Sequence, residues 1–176
     1  DCAAADRDRP LGTLAHALIR EHLVGIQVDL SYFSSDEIKR AKKVLKAYKS
    51  WEQNKHLQVI DTELSLTHSR LRYGGTIDLL CKLNGKTTIV DFKTGKNIYL
   101  DHRIQVAAYQ ELVRFRMKEK PEVWLLHLAK ENVGFSDHYL ADLTKELICF
   151  KLCIQAYRLE RSLNAQETKE VQNKKL

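Results

Sequence analysis

The chain has 176 residues, 44% of them hydrophobic, with only seven Gly and two Pro; this is enough for one domain with a real core and excludes a disordered or low-complexity protein. No apolar run approaches the roughly 20 residues of a membrane-spanning helix, and Asp1-Cys2-Ala3-Ala4-Ala5 does not open a signal peptide. A net charge of +6 and a pI near 9.1 suit a polyanionic partner.

Residues 12–24 predict a helix, with Leu14, Ala15, Leu18, Ile19 and His22 at helical spacing and Gly25 as its stop. Ser34-x-x-Glu37 is a capping box that opens a longer helix on Ile38, Ala41, Leu45 and Tyr48. Lys39, Arg40, Lys42, Lys43, Lys46 and Lys49 crowd this helix, with Trp51 just beyond. They read either as a solvated face or as a phosphate-contacting stripe on which Trp51 or Tyr48 stacks a base.

From about residue 58 the period changes to two. Residues 59–67, 71–83 and 86–93 predict three consecutive antiparallel strands, broken at His68-Ser69 and at Asn84-Gly85. A helix over 101–118 follows on Ile104, Ala107, Ala108, Leu112 and Phe115, ended by Pro121. Residues 123–129 are short and densely apolar, as in a buried strand, and 134–140 suit an edge strand. A last helix starts near residue 142 and passes Tyr157. The order ααβββαββα predicts an α/β architecture with a mixed central sheet flanked by helices. Residues 1–176 read as a single domain, with about 1–10 and 164–176 frayed or extended. Cys2, Cys81, Cys149 and Cys153 lack the further neighbouring ligands of a zinc site, and read as reduced, mostly buried thiols of a cytosol-like compartment. With no initiator Met, the chain reads as a processed form or a part of something longer.

The chemistry concentrates around the second break. Asn-Gly is the strongest short signal for a two-residue hairpin turn. With Asn84 and Gly85 in the turn, Leu83 faces Lys86, and stepping outward sets Asp78 across from Asp91. Two opposed carboxylates repel unless something offsets them, and a divalent cation would. Strand alternation puts Lys93 on the face of Asp91, with Val90 and Phe92 on the other. Hard cations take carboxylates and backbone carbonyls, so Asp78, Asp91 and the carbonyl of Phe92 form a candidate metal site. Lys93 is placed to orient or deprotonate a water. This is the equipment of a metal-dependent phosphodiesterase.

Four pieces stand in order: Gly12-x-x-x-His16, Gly75-Thr76-Ile77-Asp78, Asp91-Phe92-Lys93-Thr94-Gly95 and Gln105-x-x-x-Tyr109. On these the chain resembles the PD-(D/E)XK nucleases, in their RecB-like branch with phage and mitochondrial genome maintenance exonucleases, over residues 12–115. The resemblance implies a restriction-endonuclease-like core. It also implies His16, Asp78 and Asp91 as metal ligands, Lys93 as the catalytic lysine, and Gln105 with Tyr109 as a wall that contacts DNA or positions the lysine. Ile77 stands where the family name has Pro, and Asp91 where many members have Glu; both are variants the family allows. Some relatives carry a further acid on the preceding strand, which makes Glu63 and Asp61 secondary candidates. A two-residue turn at His68-Ser69 would set Glu63 across from Gly74, roughly 13 Å along the strand from Asp78, with Asp61 closer.

The implied activity is that of a DNA exonuclease using Mg²⁺ or Mn²⁺, acting on a single strand or a duplex end in DNA repair or recombination. A helicase, recombinase or replication partner would work beside it, inside a bacterial or virus-infected cell or an organelle. A structure-specific endonuclease with the same metal centre and a non-catalytic nucleic-acid-binding module are the alternatives. A phosphohydrolase of small molecules fits the basic charge poorly.

Overall fold

A computed structural model of the chain describes residues 2–53, 55–129 and 134–173, and the side chains of 11–53, 55–129 and 134–166. Its elements are α1 (Cys2–Val24), α2 (Ser35–Glu52), β1 (Leu57–His68), β2 (Tyr73–Leu83), β3 (Lys86–Lys93), α3 (Leu100–Met117), β4 (Glu122–Leu128), β5 (Phe135–Tyr139) and α4 (Thr144–Asn173). The expected order is met, and the sheet is mixed. Its strands lie in the order β1-β2-β3-β4-β5; β3 and β4 are parallel, joined through α3, and the other pairs are antiparallel. Helical backbone extends further than apolar periodicity indicates, from Cys2 in α1 and through Asn173 in α4.

The sheet divides two cores. On one face α1 and α2 cover Leu79, Cys81, Val90 and Phe92 with Leu14, Leu18, Val44 and Tyr48. On the other, α3 and the residue just before α4 cover Ile77, Leu80, Ile89 and Leu125 with Val106, Val113 and Leu143. Buried from Thr87 through Phe92, β3 is a central strand closed on both sides. The capping box of α2 forms as read: Glu37 N–H donates to Ser34 Oγ at 3.3 Å, and Ser34 N–H to Glu37 Oε2 at 2.8 Å. No described helix is long and apolar enough to cross a membrane.

Three expectations need correcting. Trp51 is 1% exposed and Tyr48 is fully buried; Trp51 Nε1 donates to Asp137 Oδ2 at 2.9 Å and Tyr48 packs on Phe92, so neither ring can meet a base. Of the described thiols only Cys81 is buried, while Cys149 is intermediate and Cys153 exposed. The third concerns register. Asn84 and Gly85 both take the left-handed region (φ 51° and 84°), and the β2–β3 ladder runs from Leu83↔Lys86 to Leu79↔Val90 as expected. The β1–β2 connection is instead a four-residue loop closed by the pair His68↔Tyr73, and a bulge between Val59 and Asp61 adjusts the far end. Leu64 pairs with Ile77 and Thr62 with Leu79, so Glu63 stands level with Asp78, not Gly74. The loop is held by one local contact and one distant in sequence: Leu71 N–H donates to His68 Nδ1, and the Arg158 guanidinium donates to the Leu71 carbonyl.

Candidate active site

The β2–β3 ladder stops one step short of the two aspartates, and the strands part there. Asp78 Oδ2 then accepts the Phe92 N–H at 2.7 Å, satisfying a donor that the ladder no longer serves. Phe92 thus meets Asp78 through its N–H. Asp91, 2% exposed, lies 2.8 Å from Lys93 Nζ. Among the described residues the buried Asp91 Oδ2 faces the Lys93 ammonium and accepts no other hydrogen bond.

Lys93 Nζ donates to Gln105 Oε1 at 2.8 Å, and Gln105 Nε2 donates to Tyr109 Oη at 2.8 Å. An ammonium can only donate, which sets the amide that way round. The Tyr109 ring rests on Gly75, where a Cβ would come within 2.6 Å of Tyr109 Cε1. Gly12 plays a similar part for α1, since a Cβ there would sit 3.3 Å from Thr94 Oγ1. The glycines of the sequence pattern are therefore points of close approach that bring α3 and α1 against the parting strands.

From α1, His16 Nδ1 lies 3.5 Å from Asp78 Oδ1, and its ring stands edge-on to Phe92. From β1 comes Glu63, at φ 53° in the left-handed region that side chains rarely adopt. His16, Glu63 and Asp78 each offer a ligand atom, all within 4.8 Å of one another. They line a cleft of about 570 Å³ with Thr13, Ala17, Arg20 and Val28.

Negative charge is crowded here, and it shifts the ionisable groups of the site. Burial, then the charge of Asp78, pushes the Asp91 carboxyl up to about 6, against Lys93 and His16. Glu63 is raised by burial and by Asp78. Burial alone would lower the His16 imidazole, but the carboxylates of Asp78, Asp91 and Glu63 outweigh it and hold its pKa above the ordinary value. An imidazole nitrogen, carboxylate oxygens and a buried Asp91 oxygen partnered only by the Lys93 ammonium suit a divalent cation that accepts oxygen and nitrogen.

The structure brings His16 and Asp78 together in one group and Asp91, Lys93, Gln105 and Tyr109 in a second beside it. Glu63, a secondary candidate with Asp61 in the sequence, belongs to the first group. Asp61 pairs with Leu80 and accepts the Thr62 N–H, away from the cluster. Arg20, which sequence reading passed over, lines the cleft and donates from Nε to Thr62 Oγ1 at 3.3 Å; its place one turn after His16 was the available signal. Lys39, Lys42, Lys46 and Lys49 are exposed, but neither they nor Arg40 and Lys43 line this cleft.

A mixed α/β sheet carrying acids and a lysine where two strands part defines the restriction-endonuclease-like class. The family model of the PD-(D/E)XK nuclease superfamily matches residues 2–174, and the chain belongs to that superfamily. Among solved structures it is similar to a protein provisionally named an exonuclease from Eubacterium rectale, at 17% identity and a TM-score of 0.59, covering 88% of this chain and 66% of that one. It thus spans about two thirds of that protein's length. The structure of SSO0001 also aligns, at 13% identity over 86% of each chain with a TM-score of 0.44. No curated protein matches the chain in sequence.

Proposed function

We propose that this protein is a divalent-metal-dependent DNA exonuclease that hydrolyses phosphodiester bonds by direct attack of water. The observation that carries this reading is the meeting of His16, Glu63 and Asp78 within 4.8 Å beside the Asp91–Lys93–Gln105 chain. His16, Glu63, Asp78 and Asp91 would hold Mg²⁺ or Mn²⁺. When bound, the cation supplies Lewis acidity toward a phosphoryl oxygen and makes water more acidic.

The residues then divide the work. Lys93, fixed between Asp91 and Gln105, orients the attacking water and sets a positive charge against the phosphate. Gln105 keeps the ammonium aimed, and Tyr109, seated on Gly75, keeps Gln105 aimed. Arg20 reaches the same cleft and binds a non-bridging phosphate oxygen. The water attacks opposite the departing oxygen, so no covalent enzyme intermediate forms. The neighbour's name and the RecB-like pattern favour cutting from an end of a single strand or duplex, beside a helicase, recombinase or replication partner in repair or recombination.

The test compares end-labelled linear DNA with circular DNA, single- and double-stranded, in Mg²⁺, Mn²⁺ or chelator. Digestion of linear DNA only, lost with chelator and in Lys93→Ala, is the expected result. Equal cutting of circles would replace the exonuclease with an endonuclease built on the same centre. Activity surviving both chelator and Lys93→Ala would overturn the mechanism.

A further inference from the structure

The candidate active site is acidic, so without a cation it repels the phosphates it has to position. Affinity for a strand must then come from elsewhere on the surface, and one groove offers it. We propose that the groove running from Tyr109 to the β1–β2 loop holds the substrate strand beyond the scissile bond. A nucleobase sits against Tyr73 and Phe150, and a backbone phosphate sits among Arg70, Arg114, Lys118 and Lys151. This deepens the nuclease reading and rests on it.

The groove has two parts. The first, about 340 Å³, shares Gln105 and Tyr109 with the active site; Gly74 and Gly75 form its floor, and Tyr73 and Phe150 stand in its wall. The Tyr73 hydroxyl donates to the Ala108 carbonyl at 2.9 Å, and its ring meets Phe150 edge to face at 4.8 Å. Rigid aromatic faces beside backbone glycines make a stacking surface that tolerates any base.

An aromatic row continues from there. His68 stacks near Tyr73 at 5.7 Å and directly on Phe115 at 3.8 Å, and this leads into the second part, about 440 Å³, lined by the four cations. Among the described residues the only carboxylate lining it is Glu111, which is buried and gripped twice by Arg114, at 2.7 and 2.9 Å. Four cations against one engaged carboxylate leave the pocket positive. His68 Nδ1 accepts the Leu71 N–H, so the ring proton sits on Nε2, facing Glu111 Oε1 at 3.8 Å. That contact ties the loop carrying Arg70 to α3. None of these groups has a part in the hydrolytic chemistry.

Spacing fits a polymer better than a free anion. Asp78 and Tyr73 are five residues apart on β2, so the scissile site and the Tyr73 wall of the groove lie ~17 Å apart, with the cationic part beyond. A strand covers that in about five nucleotides at the 3.4 Å rise of a duplex, and in fewer when stretched. A surface that passes from acidic to aromatic to cationic over this length matches a chain of scissile phosphate, base and distal phosphate.

The test is fluorescence anisotropy of labelled single-stranded trinucleotide and dodecanucleotide, with Ca²⁺ in place of the active cation. It uses wild type, Arg70→Glu, Lys151→Glu and Phe150→Ala, with Lys145→Glu as the control of equal charge change. Arg70→Glu and Lys151→Glu should each weaken dodecanucleotide binding about tenfold, lower the salt slope by about one, and shrink the gain from trinucleotide to dodecanucleotide. Phe150→Ala should weaken it roughly tenfold without changing the slope, and Lys145→Glu should behave as wild type. Thermal unfolding confirms that each variant folds; Arg70 is exposed on a loop, so its reversal leaves the core alone. If wild type binds and cleaves while the gain and the slope survive in Arg70→Glu and Lys151→Glu, the groove is not on the path and the nuclease reading stands. If wild type neither binds nor cleaves any oligonucleotide in Mg²⁺ or Mn²⁺, both readings fall.

Discussion

Two hairpins share β2 and deliver the acids by different means. The β2–β3 hairpin turns on Asn84 and Gly85, and its ladder runs without a break to Leu79↔Val90. It carries Asp78, Asp91 and Lys93, and local backbone chemistry sets their positions. The β1–β2 hairpin closes through a four-residue loop, carries a bulge, and relies on His68 stacked on Phe115 and Arg158 at the Leu71 carbonyl. It carries Glu63, whose place therefore depends on α3 and α4. One hairpin anchors the site through its turn, and the other completes it through tertiary contacts.

The largest effects should come from the tight hairpin. Asp91→Asn should cut the rate by about 10⁴, a barrier rise of about 5 kcal/mol. The same change should stabilise the metal-free protein. The Asp91 carboxyl is raised to about 6 in the folded state, so its ionised form weakens the fold. That penalty is absent near pH 4, grows as pH rises toward 6, and is complete above it. Metal-free Asp91→Asn should thus melt above wild type at pH 7.5 and level with it at pH 4, as calorimetry would show; a lower melting temperature at pH 7.5 would mean that Asp91 is not strained by burial. Lys93→Ala should follow, losing on the order of 10²–10⁴ in rate with Mn²⁺ affinity little changed.

The wide hairpin should give the intermediate effects, and there the comparison can be broken. Glu63→Ala should weaken Mn²⁺ binding and lower the rate on the order of 10–100-fold, while Asp61→Ala stays within about twofold of wild type. Calorimetric Mn²⁺ titration together with initial rates decides it. Reversed effects would return the site to the register that a two-residue turn at His68-Ser69 implies.

That reversal marks the boundary of what was legible. Asn84-Gly85 specifies a turn by its own φ preferences, so the spacing of Asp78, Asp91 and Lys93 followed from counting, apart from the final step where the strands part. The periods of two and 3.6 were enough for element order and for the two faces of β3. Glu63 was misplaced because Ser69-Arg70-Leu71-Arg72 has no local signature. Its closure uses Arg158, 86 positions beyond Arg72, and Phe115 on another helix. Trp51 was misjudged for a related reason: it ends a lysine-rich helix, while its partner Asp137 lies on β5. Gln105 and Tyr109 came through resemblance, and the contact of Tyr109 with Gly75 supplies the physical reason.

The smallest effect tests the backbone itself. Each hairpin holds two residues in the left-handed region, Asn84 and Gly85 in one and Glu63 and Arg72 in the other, and Gly85 at φ 84° and Glu63 at φ 53° make the comparison. Gly85→Ala should cost about 1–2 kcal/mol, a melting temperature lower by roughly 2–4 °C per kcal/mol in a chain of this size. Gly85 lies at the hairpin tip, so the rate should be unaffected. At an ordinary strand position Ala is more stable than Gly by about 0.5–1 kcal/mol. At position 63 the order should invert, with Glu63→Gly melting above Glu63→Ala, because both lose the carboxylate and only Gly relieves the φ strain. If Glu63→Ala melts higher, the strand relaxes freely once the carboxylate is gone, and the left-handed turn is held by the carboxylate's own contacts in the cleft. If the inversion holds, the β1 backbone imposes the turn, and Glu63 occupies a position suited to glycine because a carboxylate is required beside Asp78.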